Sequence, residues 1–331
     1  MTILASIRKL TFNEPNFEML ILVSDSIIDK EETPKESGNY AGQEELKMKI
    51  QEIIDKLKDW HEPFIESPHG TRDQILTGDP DQECTGVAVT VCATMEVLRK
   101  AAARNINFII THESIFFGSG NTEEMLANNA VAMEKKQFAD DHGLVVWRDH
   151  DRLHGNGLPF QPQRVNPDSI FTGILSELGW ENYVADDPLK PLLYQIPPVP
   201  AQTLADFILR RFELNGLRIV GNLDCEVSSV LFCEHVTGSP KDAEIIRKAE
   251  QADVLIPFEI CDYTLTQYVI DAAAQGRNKV LLEMGHFNCE ELGMKAMARW
   301  LPEVIGNALP VTFIKAGDKF QYRTAPICSE R

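Results

Sequence analysis

"GVAVTVCATMEVLRKAAARNINFIITHE" (residues 86–113) carries the organisation of the chain in one unbroken stretch. "GVAVTV" is short, apolar and β-branched and reads as a buried strand. "TMEVLRKAAAR" spaces its apolar residues for a helix, and "NFIIT" reads as a second buried strand. Strand, helix and strand in this order form the βαβ unit of a parallel sheet, so the fold class is α/β. The second strand ends in His112 and Glu113, after which apolar residues resume. An imidazole and a carboxylate at the mouth of a buried strand need partners, because unpaired burial costs several kcal/mol.

The same rhythm continues in both directions. Upstream, "EELKMKIQEIIDKLKDW" (44–60) reads as an amphipathic helix. Downstream come a helix in "TEEMLANNAVAMEKKQFADD" and a strand in "GLVVW". The second half repeats the plan: strand "SSVLFC", helix "PKDAEIIRKAEQA", strand "DVLIPF", helix "YTLTQYVIDAAAQG", strand "KVLLEM" and helix "EELGMKAMARWL". "VAVTVCAT…RKAAARNINFIITHE" and "VSSVLFCEH…RKAEQADVLIPFE" share one layout, each second strand ending in a glutamate-bearing turn. Two similar α/β lobes with mainly parallel sheets are therefore expected. Their link is placed in the proline cluster "DDPLKPLLYQIPPVPAQ" (186–202). The expected divisions are 1–44, an N-terminal extension without a readable role; 45–185, the first lobe; and 186–331, the second.

"KVLLEMGHFNCEELG" (279–293) supplies partners for the first pair. His286 follows a strand and Glu290 lies four positions on, so a helix starting there puts both on one face. In open α/β sheets, sites form beyond the carboxyl ends of the strands. A lone histidine in such a place is more often a cap or a satisfied core group. Two His-plus-Glu sets at equivalent strand ends favour a metal site between the lobes. "VVWRDHDRLHGNG" (145–157) adds Asp149, His150, Asp151 and His154 after a third strand. Asp149 and Asp151 read as parts of a solvated loop, but His142, His150 and His154 place three of eight histidines within thirteen positions. At least one of them is expected to be a ligand. Asn121 with Glu124 reads as a capping box.

Composition narrows the function. The 331-residue chain has a formal charge of −18, which opposes nucleic-acid and anionic-membrane partners and favours cation uptake. No apolar run approaches the roughly 18–20 residues of a membrane span, and no apolar leader is visible at the N-terminus. A cytoplasmic location is the expectation. The seven scattered cysteines form no CxxC pair and suit reduced thiols. GxxxxGK[ST] and GxGxxG are both absent.

"TGDP" (77–80), "FIITHES", "HDRLH", "ADVLIPFE" and "GHFNCEELG" together resemble the motifs of the Nif-three-like dinuclear-metal-centre family, often named type 2 GTP cyclohydrolase I, from about residue 45 to 325. The resemblance implies five ligands: His112, Glu113, His154, His286 and Glu290. Glu113 stands where the family has a second histidine, and His154 where it has an aspartate. The two departures offset each other in kind, leaving three imidazoles and two carboxylates. Glu259, in "PFE" where the family has "TGE", is either a catalytic base or supporting group or a surface glutamate at a strand end, and His150 is expected to orient a ligand or substrate from behind. The implied cofactors are two divalent ions, drawn from zinc, manganese, iron or nickel. The implied activity is metal-dependent hydrolysis of a small nucleotide, phosphorylated or heterocyclic substrate. A ring-shaped homo-oligomer such as a hexamer is the implied assembly. The alternative is a metal-binding scaffold or regulatory protein without turnover.

Overall fold

The computed structural model describes residues 47–118, 126–155 and 165–323. The readings for residues 1–44 and for the Asn121–Glu124 capping box fall outside them. The first helix, α1 (Ile50–Trp60), buries Ile50, Ile53, Ile54 and Leu57, the spacing of one helical face. β1 (Gln74–Thr77) and β2 (Val87–Thr90) follow, then α2 (Met95–Ala103), β3 (Phe108–Thr111), α3 (Ala130–Asp141) and β4 (Val145–Arg148). α3 is shorter than the expected 122–141; Asn129 caps it, its side chain accepting from Ala132 N–H at 3.1 Å.

β2, β3 and β4 pair in parallel register, with Thr90 opposite Thr111 and Thr111 opposite Arg148. All their residues are buried, as a sheet covered on both faces requires. Val87, Val89, Phe108, Ile110, Val145 and Trp147 point to one core, and Ala88, Ile109 and Val146 to the other. β1 closes one edge antiparallel to β4.

Further along lie α4 (Ser169–Leu178), β5 (Leu193–Pro200), α5 (Ala201–Arg211), β6 (Arg218–Gly221), β7 (Glu226–Glu234), α6 (Asp242–Ala249), β8 (Val254–Pro257), α7 (Gln267–Ala274), β9 (Val280–Glu283), α8 (His286–Val304) and β10 (Val311–Phe313). The second sheet runs β5-β7-β8-β9-β6. β7, β8 and β9 are parallel, whereas both edge strands are antiparallel. The proline cluster expected to be a link thus contains an edge strand, β5, in its second half. Prolines are tolerated because β5 is an edge, and its register slips between Gln195 and Val199. β10 also crosses the expected division, pairing with β2 so that the first sheet reads β1-β4-β3-β2-β10. The described residues therefore form two five-stranded sheets with eight α-helices. None of the helices is long and apolar enough to cross a membrane.

α8 ties the halves together. It starts after β9 at Gly285, whose φ of 91° suits glycine and whose missing Cβ leaves room for the Phe320 ring. From there it packs along α4 and reaches β2 and β10. The α4–α8 crossing is close because glycines meet there. A Cβ on Gly293 would lie 2.8 Å from the Ile170 backbone, and one on Gly173 would lie 2.9 Å from Ala296 Cβ. Gly293→Ala gains about 1 kcal/mol of helix propensity. Forcing the backbones apart costs about 1–3 kcal/mol or more, so we expect a net loss of stability, read by chemical denaturation.

Candidate metal centre

His112 and Glu113 extend β3 past its last strand residue. The His112 N–H donates to Thr90 O at 3.2 Å and the Glu113 N–H to Val91 O at 2.8 Å. Neighbours on an extended backbone face opposite ways, which separates their tasks. The His112 ring turns inward and stacks on His150, with centroids 4.4 Å apart and planes 8° from parallel. Glu113 turns to Arg148, which donates to its Oε2 at 2.7 Å, and to His286, whose Nε2 lies 3.3 Å from Oε1.

Each of four imidazoles is held by its Nδ1. The Asp149 carbonyl receives His112 Nδ1 at 3.2 Å, Asp151 receives His150 at 3.1 Å, Asp168 receives His154 at 3.0 Å, and Glu259 receives His286 at 2.7 Å. A carbonyl or carboxylate only accepts, so each Nδ1 is the donor and Nε2 is the atom left to face a cation. This is how metal-binding histidines are oriented.

The Nε2 atoms gather around Glu290. Its Oε2 lies 3.1 Å from His286 Nε2 and 3.4 Å from His112 Nε2, while Oε1 lies 3.9 Å from His154 Nε2. Glu290 is only 1% exposed. His112 Nε2, His286 Nε2 and Glu290 Oε2 are buried without a hydrogen bond of acceptable geometry. Buried polar atoms this costly are stable once they share a cation. Two overlapping sets offer ligand atoms within 4.8 Å of one another: His112, His150 and His154; and His112, Glu113 and Glu290. Imidazole and carboxylate donors in these numbers fit a first-row divalent ion.

The charges agree. Burial would raise Glu113, but His286 and the other imidazoles hold it down at about 2. Glu290 stays well below its ordinary value against complete burial, because His112 and His286 face it. Burial, with His112 alongside, pushes His150 well below the usual range, so it is a neutral donor. Burial would lower His154, yet Asp168 raises it.

The structure brings together the five residues that the resemblance implies as ligands, and His150 offers a ring nitrogen within 4.8 Å of those of His112 and His154. Glu259 lies behind His286 and accepts from both His286 and His235. Asp149 and Asp151 depart from the solvated loop expected of them, since both are buried. Asp151 accepts from the Arg72 N–H at 2.8 Å and from Arg72 Nε at 2.7 Å, which locks the loop inward. Two further residues adjoin the cluster, His235 and Asp168. His235 follows β7 and completes a third set with Glu259 and His286; the strand-end rule that found His112 would have found it. Asp168 has no such signal, because the mostly apolar run that follows it shows little polar face.

Asp168 has two roles. Its Oδ1 caps α4 through Ile170 N–H and Phe171 N–H, both at 3.1 Å, and its Oδ2 holds His154. Asp168→Asn keeps the cap and removes the carboxylate, so metal affinity is expected to fall about 10–100-fold with stability little changed. Asp168→Ala adds a cap loss of about 1–2 kcal/mol. Chelator competition and denaturant titration separate the two effects.

A cavity of about 720 Å³ opens beside Glu113, His286, Glu259 and His235. Comparison with known proteins gives this arrangement a lineage. The sequence model of Duf34/NIF3 (NGG1p interacting factor 3) matches residues 48–137 and 173–319. The chain belongs to the Duf34/NIF3 family. Relatives named "GTP cyclohydrolase 1 type 2 homolog" include one from Staphylococcus aureus strain COL, 24% identical over 241 residues. One from strain MRSA252 is 27% identical over 178 residues. These matches cover 72% and 54% of this chain, and 60% and 44% of the relatives, so the chain spans less than two thirds of their length. Among solved structures, a hypothetical protein of S. aureus has a TM-score of 0.58 at 19% identity, covering 83% of this chain and 99% of that one. A Bacillus cereus protein related to NIF3 has a TM-score of 0.57 at 14% identity, covering 85% and 100%. At these identities the likeness to the two solved structures is one of fold.

Proposed function

We propose that the protein is a dinuclear metal-dependent hydrolase of a small organic substrate, in the manner the relatives' names suggest. The observation that supports this most is the gathering of unbonded buried imidazole and carboxylate atoms around Glu290, next to a cavity large enough for a small molecule. His112, His154 and Glu290, with His150 alongside, would hold one divalent ion; Glu113, His286 and Glu290 would hold the other. Zinc, manganese, iron and nickel all suit these donors. Such a pair supplies Lewis acidity and acidified water at neutral pH. The chain's own residues do the placing. Asp168 and Glu259 fix two rings through Nδ1, Arg148 steadies Glu113, and the buried side of the cluster keeps bulk water away.

The test is metal analysis of the loaded full chain, followed by a hydrolysis screen over nucleotides, phosphoesters and heterocycles. About two ions per chain and a metal-dependent activity abolished by His286→Ala are expected. Two ions without turnover on any substrate would favour the scaffold reading, and fewer than about one ion after loading would end both.

A further inference from the structure

The cavity beside the candidate centre has a second charged wall, formed by residues without a part in metal binding. Arg99 comes to it from α2, Lys135 from α3 and Lys319 from the segment after β10. In a chain of charge −18, basic side chains elsewhere are commonly matched to carboxylates, as in Lys47–Glu83, Lys136–Asp140 and Arg152–Asp73. Among the described residues, Arg99, Lys135 and Lys319 make no such ion pair, although Glu291 and Asp318 lie near enough to Lys319 to favour its charge. Lys135 is 6% exposed; its Nζ donates to Ile115 O at 2.7 Å and stands over the Phe117 ring. Lys319 stands over the Phe287 ring. Both lysines lie close enough to the Cys92 thiol in the same wall to oppose the burial that raises it, while Glu113 and Glu291 reinforce that rise. Thr94 and Met95, where α2 begins, line the cavity as well, and a helix N-terminus adds to the positive field. The acidic members of the lining are Glu113 and Glu259, engaged at the candidate centre, and the exposed Glu134.

We infer that this wall recognises an anionic group of the substrate, a phosphate-type dianion, while a ring-sized organic body lies along Phe117 and Phe287. The inference rests on the hydrolase reading and specifies its substrate class. Cations arriving from three separate elements can meet separate oxygens. A phosphate monoester offers three, whereas a carboxylate offers two in one plane. The cavity of about 720 Å³ is far larger than an inorganic anion needs, which leaves room for a body reaching to Glu113 and His286. Burial holds Lys135 at about 8, so an anion placed there secures its charge.

Phenyl phosphate and benzoate serve as probes, titrated calorimetrically into the full chain, metal-loaded and metal-free. The perturbation is Arg99→Gln with Lys319→Gln, both at exposed positions. Phenyl phosphate is expected to bind the metal-free chain at least about tenfold more tightly than benzoate, and the double variant to lose at least about tenfold with its metal content unchanged. That result would stand even if the chain took up no ion, so it is independent of the metal assignment. Benzoate binding as tightly as phenyl phosphate would overturn the dianion. Phenyl phosphate binding that needs loaded metal and ignores the double substitution would overturn the wall.

Discussion

Glu290→Gln should leave the protein unable to retain its ions. The carboxylate is almost wholly enclosed and lies within 3.1–3.9 Å of three imidazole Nε2 atoms. An amide of the same shape keeps one acceptor oxygen, replaces the other with a donor and removes the charge. That donor can bond to His112 or His286, which occupies the lone pair a cation requires. A fall in affinity of at least about 100-fold is expected, beyond the range of an outer-shell loss, measured by chelator competition. Glu291→Gln is the control. Glu291 is also buried, but it accepts from Ala316 N–H at 2.6 Å and from Gly317 N–H at 3.2 Å, away from the imidazoles. That variant should keep its metal and lose stability. Retention of both ions by Glu290→Gln would remove Glu290 from the centre.

The second large effect is on pH. In the metal-free chain Glu113, Glu259 and Glu290 surround His286 and outweigh its burial, lifting it from 6.5 to about 12. A raised value means the proton is bound at every ordinary pH, so an entering cation has to displace it. Each unit of falling pH strengthens that competitor, and affinity should rise with pH by about tenfold per unit for each proton displaced. The raised His154 adds to the slope, and the lowered His150 does not. The metal-free fold responds with the opposite sign. Stability from the His286 proton is fully present below 6.5 and is lost progressively as pH rises toward about 12. Loaded and metal-free protein should therefore diverge as pH rises from 6 to 8. A flat affinity profile, with no proton release in calorimetry, would count against His286 as a ligand.

Much of this centre could be read from local sequence because its residues announce themselves at strand ends. His112 and Glu113 follow an apolar run, and His286 and Glu290 share one turn of a helix that begins at a glycine. What sequence concealed was long-range or aperiodic. Asp168 caps α4, whose buried Ile170, Phe171, Gly173, Ile174 and Leu178 leave little polar face to set a helical period. The prolines of β5 mimic a linker because an edge strand and a linker both tolerate a missing N–H donor. Asp149 and Asp151 looked solvated because Arg72, which draws Asp151 inward, lies 79 positions away. The pairing of β10 with β2 has no local signal at all.

That last pairing bears on when the protein can be assembled in the cell. β2 acquires one neighbour, β3, almost at once, but its other neighbour arrives only after the whole second sheet has been made. His112 likewise waits for Glu290. A nascent chain emerging from the ribosome exposes a half-built donor set through most of its synthesis, and a proteolytic fragment of either half has the same deficiency. If the centre takes up metal as proposed, tight retention would report an intact polypeptide, and a bound ion would be the last fastener on a fold whose first sheet is closed from its far end.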